Sequence, residues 1–305
     1  MNPILQEFVD LLALEQLEVN LFRGQNRHLG WPRVYGGQVL AQGLVAAGRT
    51  VPEDRTVHSM HAYFILPGDI EVPLIYDVDR IRDGGSFTTR RVRAIQHGRP
   101  IFNMSASFHK HEEGIEHQSD MPDVPPPEGL KDDLDLLRAK AERLPERLRP
   151  FYLQDRPIEF RPVNPVDPFD PKPRTSTVKH MWMRTVDTLP ETPLIHQAMV
   201  AYASDYGLLA AALLPHGMTF FQHEMMAASL DHAIWFHRPF RADEWLLYSM
   251  DSPSAAGARG FTRGSLFTRE GALVASVAQE GLIRMTPSEK GGRWPAETAG
   301  SDSSE

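Results

Sequence analysis

Two stretches of the chain carry the same order of apolar and polar positions. "HAYFILPGD" (61–69) and "AIWFHRPFR" (233–241) match at a spacing of 172, pairing Tyr63 with Trp235, Phe64 with Phe236 and Pro67 with Pro239. The same spacing pairs Tyr76 with Tyr248 and Asp79 with Asp251. A slip of one or two residues pairs Phe87 with Phe261 and Gly98 with Gly271. Each copy ends in a segment with the period-two alternation of a half-buried strand, "RPIFNMSASFHK" and "ALVASVAQEGLIR". Each is preceded by a longer apolar segment that predicts a helix, "GGQVLAQGLVAAG" (36–48) and "LIHQAMVAYASDYG" (194–207). A hydrophobic helix followed by antiparallel strands with glycine turns predicts a sheet wrapped around that helix. Two such units in one chain predict an α+β fold that packs like a dimer.

Proline marks the boundary between the copies. Twelve of the 25 prolines fall between residues 122 and 173. Each fixes φ and removes a backbone donor, so no packed sheet is expected to run through this stretch. Within it, "DDLDLLRAKAERL" (132–144) places acids first and bases last, matching the dipole of one short helix. The expected organisation is an N-terminal lobe over 1–111, a Pro-rich linker over 112–175 and a C-terminal lobe over 176–286. A polar, disordered tail is expected over 287–305.

Composition narrows the function classes. The chain has 305 residues, 41% of them hydrophobic, and a formal net charge of -8. That balance argues against a nucleic-acid partner, which needs a clustered basic face. With no cysteine, disulfides, thiolate metal sites and a Cys nucleophile are all ruled out. The N-terminal "MNPILQEFVDLLALEQ" reads as an amphipathic helix (Ile4, Leu5, Phe8, Val9 and Leu12 on one face) and not as a signal peptide. No run of 18 apolar residues predicts membrane insertion, and a cytoplasmic protein is expected. There is no G-x-S-x-G and no H-E-x-x-H: "HEMMA" at 223 ends in Ala227, where a second His would be needed. His109 and His111 lack a third shaped ligand, so no metal site is expected. "RDGGSF" (82–87) is better read as a hairpin turn than as a phosphate loop.

One polar set resists a packing explanation. Asp205 interrupts the apolar run "AMVAYASDYGLLAAALL", Ser229 precedes "LDHAIWFHRPF", and Gln279 lies in the last alternating segment. Carboxylate, hydroxyl and amide together can hold one water: the first accepts, the last both donates and accepts, and the hydroxyl rotates to suit. Taken singly, each has a plain reading: helix end, turn residue, exposed strand end. The repeat argues for function, because Gln279 falls opposite Ala106, Ser229 near Thr56 or Val57, and residues 36–52 contain no acid. A set required by the fold would tend to occur in both copies.

The stretches "LFRGQ", "VYGGQVLAQGL", "RDGGSFTTRRV", "YASD", "LDHAIWFHRPF", "ARGF" and "QEG" resemble the acyl-CoA thioesterase II family from about residue 4 to 285. The resemblance implies a double-hotdog fold, with two tandem repeats packed as a pseudo-dimer. It also implies an acyl-CoA substrate, no cofactor, and association into a homodimer or homotetramer. In that family an Asp, a Thr or Ser and a Gln orient the hydrolytic water; the matching positions are Asp205, Ser229 and Gln279. Asp205 is then general base or water orienter. The helix start at "YGGQ" suggests the backbone N–H of Gly37 or Gln38 as oxyanion donor. Arg82, Arg90, Arg91, Arg259 and Arg263 are candidate contacts to CoA phosphates. Two other readings compete: an enoyl-CoA hydratase on the same fold, and a non-catalytic acyl-CoA binding protein. The hydratase resemblance needs a His five residues after an Asp, a spacing absent from this chain.

Overall fold

The computed structural model describes residues 1–27, 33–221 and 225–285. The expected tail and the first two residues of "HEMMA" lie outside these residues. Helix α1 (Pro3–Leu12) is capped by the Asn2 side chain and buries Leu5, Phe8, Leu11 and Leu12. The first lobe follows with β1 (Glu15–Glu18), β2 (Leu21–Gly24), α2 (Gly36–Gly48), β3 (Arg55–Phe64), β4 (Leu74–Asp83), β5 (Phe87–Gln96) and β6 (Arg99–Lys110). Between the lobes lie α3 (Asp133–Arg138), α4 (Arg149–Tyr152) and β7 (Ile158–Pro162). The second lobe contains β8 (Lys179–Thr185), α5 (Pro193–Ser204), β9 (Met225–Ser229), β10 (Asp231–Phe236), β11 (Leu246–Ala256), β12 (Arg259–Thr268) and β13 (Leu273–Met285).

Among the described residues, thirteen strands form one sheet in the order β1-β2-β4-β5-β6-β3-β10-β13-β12-β11-β8-β7, with β9 also pairing β13. The order reads as two mirrored halves, β2-β4-β5-β6-β3 and β10-β13-β12-β11-β8. They join where β3 and β10 pair antiparallel, with Met60 opposite Ile234 and Ala62 opposite His232. This is the double-hotdog arrangement that the family resemblance implies.

The repeat also holds at the level of side chains. Tyr76 on β4 and Tyr248 on β11 are both fully buried. Their hydroxyls donate into the two central helix regions, to Gln42 Oε1 and to the Ser204 carbonyl. Asp79 accepts from Arg91 and Asp251 from Arg263, equivalent cross-strand pairs on β4–β5 and β11–β12.

The two helices sit inside the sheet. Every residue of α2 from Gly37 to Ala47 is buried, and α5 buries His196 and most positions from Ala198 to Ser204. They run antiparallel: Leu194 at the start of α5 lies over Gly48 at the end of α2, and Tyr202 at the end of α5 lies over Gly37 at the start of α2. A helix buried on all sides has no polar face, which is why both segments read as nearly continuous apolar runs.

Three boundaries differ from the sequence expectation. The 132–144 helix is only α3, followed by a separate turn of 3-10 helix at Ala141–Arg143. A strand, β7, does form within the Pro-rich stretch. It pairs only with β8 at the edge of the sheet and ends on Pro162, so its missing N–H costs no ladder bond. Finally, α5 stops at Ser204 instead of Gly207, and Asp205 is its C-cap. Gly207 then takes φ +72, a left-handed conformation suited to glycine, before a 3-10 segment over Leu209–His216. Pro193–His216, apolar and long enough by composition to cross a bilayer, is therefore two segments, and it is largely buried in the fold.

Candidate active site

The structure brings Asp205, Ser229 and Gln279 together. Ser229 ends β9, where it pairs with Gly281 of β13, two residues beyond Gln279. Ser229 Oγ donates to Asp205 Oδ1 at 3.2 Å and accepts from Gln279 Nε2 at 2.9 Å. Asp205 and Ser229 are half-buried, whereas Gln279 is 1% exposed. The hydroxyl is thus the node between carboxylate and amide.

The first lobe supplies the other wall. The Gly37 N–H, at the start of α2, donates to Asp205 Oδ2 at 3.1 Å. The positive end of one helix thereby meets the carboxylate capping the negative end of the other. This approach needs glycine. A Cβ at Gly36 would lie 2.8 Å from Asp205 Oδ2, and one at Gly37 would lie 2.3 Å from the Tyr202 carbonyl. The Tyr35 hydroxyl donates to that same carbonyl at 3.1 Å. Burial, then the charge of Asp205, pushes the Tyr35 phenol well above its ordinary pKa, so it stays protonated. The inter-lobe segment braces the next residue, with Tyr206 Oη donating to Asp133 Oδ2 at 2.5 Å and accepting from Arg156 at 2.6 Å.

Next to Gln279 lies His232, fully buried on β10. Its Nδ1 is 2.5 Å from Gln279 Oε1, and its Nε2 is 2.9 Å from Ser204 Oγ. Burial pushes its pKa below the usual histidine value, outweighing the opposing pull of Asp205 and of the Gln279 hydrogen bond. Sequence reasoning missed His232 and Ser204. A usable signal was present: in "LDHAIWF" the alternation puts His232 on the same face as Ile234 and Phe236, the face buried in the core.

The remaining candidates separate. Of the two candidate oxyanion donors, the Gln38 N–H is bonded to the Tyr35 carbonyl within the first helical turn, and the Gly37 N–H to Asp205. Arg90 is excluded as a phosphate contact. It is fully buried and donates to the Thr50 hydroxyl and carbonyl, to Arg82 O, to Thr89 O and to Asp83 Oδ1. A buried guanidinium satisfied by five acceptors anchors β5 to the end of α2. Arg91, Arg259 and Arg263 are exposed and paired with Asp79, Glu280 and Asp251. Arg82 lies at the β4–β5 hairpin, whose turn closes through the Gly84 N–H to the Phe87 carbonyl. Among the described residues, the polar partners of Arg91, Arg259 and Arg263 do not include Asp205, Ser229 or Gln279.

Comparison with known proteins bears on the family and the fold. Residues 27–109 match the family model described as "Acyl-CoA thioesterase N-terminal domain", and residues 153–282 the model described as "Acyl-CoA thioesterase". The chain is 42% identical over 286 residues to acyl-CoA thioesterase 2 of Haemophilus influenzae, covering 94% of this chain and 100% of that protein. It is 43% identical over 285 residues to human acyl-coenzyme A thioesterase 8, covering 91% and 88%. Among solved structures, an acyl-CoA thioesterase II from Mycobacterium marinum aligns with a TM-score of 0.75 at 43% identity, over 92% of this chain and 99% of that one. A hot dog fold protein from Alicyclobacillus acidocaldarius aligns at 0.74 with 18% identity, a likeness of fold alone.

Proposed function

The chain belongs to the acyl-CoA thioesterase family, and from that premise we propose that it hydrolyses fatty acyl-CoA by direct attack of a water held by Asp205, Ser229 and Gln279. The observation that carries this reading is the Ser229 hydroxyl, bonded to both Asp205 and Gln279 at a half-buried surface where the two lobes meet. Asp205 takes a proton from the water as its oxygen bonds to the thioester carbon. Gln279 Nε2 and Ser229 Oγ fix where that oxygen sits. The C–S bond then breaks, and the proton on Asp205 passes to the departing CoA thiolate. A thiolate leaves without a strong general acid, so no further acid and no covalent nucleophile are required.

The developing oxyanion is best placed against the N-terminus of α2, where the macrodipole favours negative charge. The Gly37 N–H, which holds Asp205 in the free protein, reaches that oxyanion by sharing its hydrogen bond. Its first role is to orient the carboxylate.

Free-thiol release from acyl-CoAs of varied chain length tests the reading. Ser229→Ala and Gln279→Ala are each expected to lower kcat by about 100-fold, the usual cost of one positioned hydrogen-bonding group. Ser229→Thr, which keeps the hydroxyl, should remain active. Unchanged rates in Gln279→Ala would remove the amide from the water site. If the wild type binds CoA yet hydrolyses nothing on the panel, the protein is an acyl-CoA binder instead.

A further inference from the structure

We propose that His232 is a positioning residue that fixes which way the Gln279 amide faces, and thereby which atom it presents to Ser229 and the attacking water. This inference rests on the reading of Asp205, Ser229 and Gln279 as the water site.

The hydrogen bonds form one chain with a definite direction. Asp205 can only accept, so the proton between it and Ser229 belongs to Ser229 Oγ. That hydroxyl then accepts from Gln279, which must present its NH2 group there, at 2.9 Å. The amide oxygen is left facing His232 Nδ1, so this nitrogen carries a proton. With the ring neutral, Nε2 is an acceptor, and Ser204 Oγ, which also lies 3.1 Å from the Ala201 carbonyl, turns its one proton to the closer nitrogen at 2.9 Å. The order runs Ser204 to His232 to Gln279 to Ser229 to Asp205, each group donating to the next and the chain ending on the carboxylate. Aligned hydrogen bonds of this kind polarise one another.

A flipped amide would set its oxygen against a hydroxyl whose proton is already given to Asp205. It would also need the other ring tautomer, with the Nε2 proton on Ser204 Oγ and the Ser204 proton on the Ala201 carbonyl. The Nδ1–H tautomer therefore holds the amide in the rotamer that serves Ser229.

The first lobe shows what this position needs when it has no chemistry to support. On β3 and β6 the equivalent pair is Met60 opposite Ala106, both buried and apolar. The fold closes its core there without a polar atom. Replacing that pair by a buried histidine and a buried glutamine is worthwhile only if the polar atoms are used.

Two nitrogens of one ring allow a discriminating test. Asparagine can place its amide N–H near the position of Nδ1, whereas glutamine reaches the position of Nε2. His232→Asn is therefore expected to keep most of the wild-type kcat. His232→Gln and His232→Leu should lose about 10–100-fold, the usual loss when a partner supporting a site residue is removed. KM should stay close to wild type in all three. Nitrogen-15 spectra of the wild-type ring should show a protonated Nδ1 and an unprotonated Nε2, a readout that needs no variant to fold. A proton on Nε2 instead would overturn the proposal. So would equal losses in all three variants, no loss in any, or a glutamine variant that matches or exceeds the asparagine one. Any of these would leave the water site standing if Asp205 proves essential; full activity in Asp205→Asn would instead remove the reading on which the proposal rests.

Discussion

Replacing Asp205 with Asn is expected to lower kcat by about 10²–10⁴-fold, the range for losing a positioned general base, with little change in KM. The substitution barely alters shape but reverses one hydrogen-bonding role. Asp205 accepts on both oxygens, from Ser229 at one and from the Gly37 N–H at the other. An amide has one acceptor and one donor end. Whichever way it turns, its NH2 meets either the Gly37 N–H or the Ser229 hydroxyl that also accepts from Gln279. The base is lost and the water site disturbed together. Because Asp205 is only half-buried, the variant should fold, and CoA binding measured separately would establish that the lost rate is chemical.

A single methyl group at Gly37 is expected to do comparable damage through packing. The new Cβ would lie 2.3 Å from the Tyr202 carbonyl and 2.5 Å from the Tyr35 ring. The carbonyl belongs to a helix held on all sides, so α2 must move off the end of α5. Overpacking of this kind costs about 1–3 kcal/mol, which a fall in Tm would register. The larger effect is on rate. Shifting the α2 terminus removes the N–H that holds Asp205 Oδ2, and a displacement of about 1 Å at a reacting centre costs about 100-fold. Gly85→Ala is the control: a Cβ there meets nothing within 4 Å, and both stability and rate should be unchanged.

Much of this architecture is legible in the sequence because it is written twice. Period-two alternation and the spacing of 172 residues identify the strands, and the buried tyrosines and the Asp–Arg pairs repeat with it. Boundaries are less legible. The proline-rich segment argues against strand structure in general, but an edge strand tolerates proline, and only the three-dimensional arrangement reveals that β7 lies at an edge. Asp205 sits beyond the last helical residue because Gly207 takes a left-handed turn, which an apolar run cannot signal. The polar set is visible as residues that break the pattern in one copy alone. Its coupling is not: the contact between His232 and Gln279 joins residues on different strands, and the role of each depends on proton positions. The arginines mark the opposite limit, since Arg90 and Arg91 are adjacent in sequence, one sealed in the core and the other on the surface.

The most direct test of the water site is the structure of the wild-type protein bound to an acyl-CoA analogue whose thioester sulfur is replaced by a methylene. Such a ligand keeps the carbonyl but cannot be hydrolysed. Its carbonyl carbon is expected within about 3–3.5 Å of a water bonded to Asp205, Ser229 and Gln279, with the carbonyl oxygen toward the N-terminus of α2. A carbonyl bound elsewhere, with no water on Asp205 able to reach it, would contradict the account.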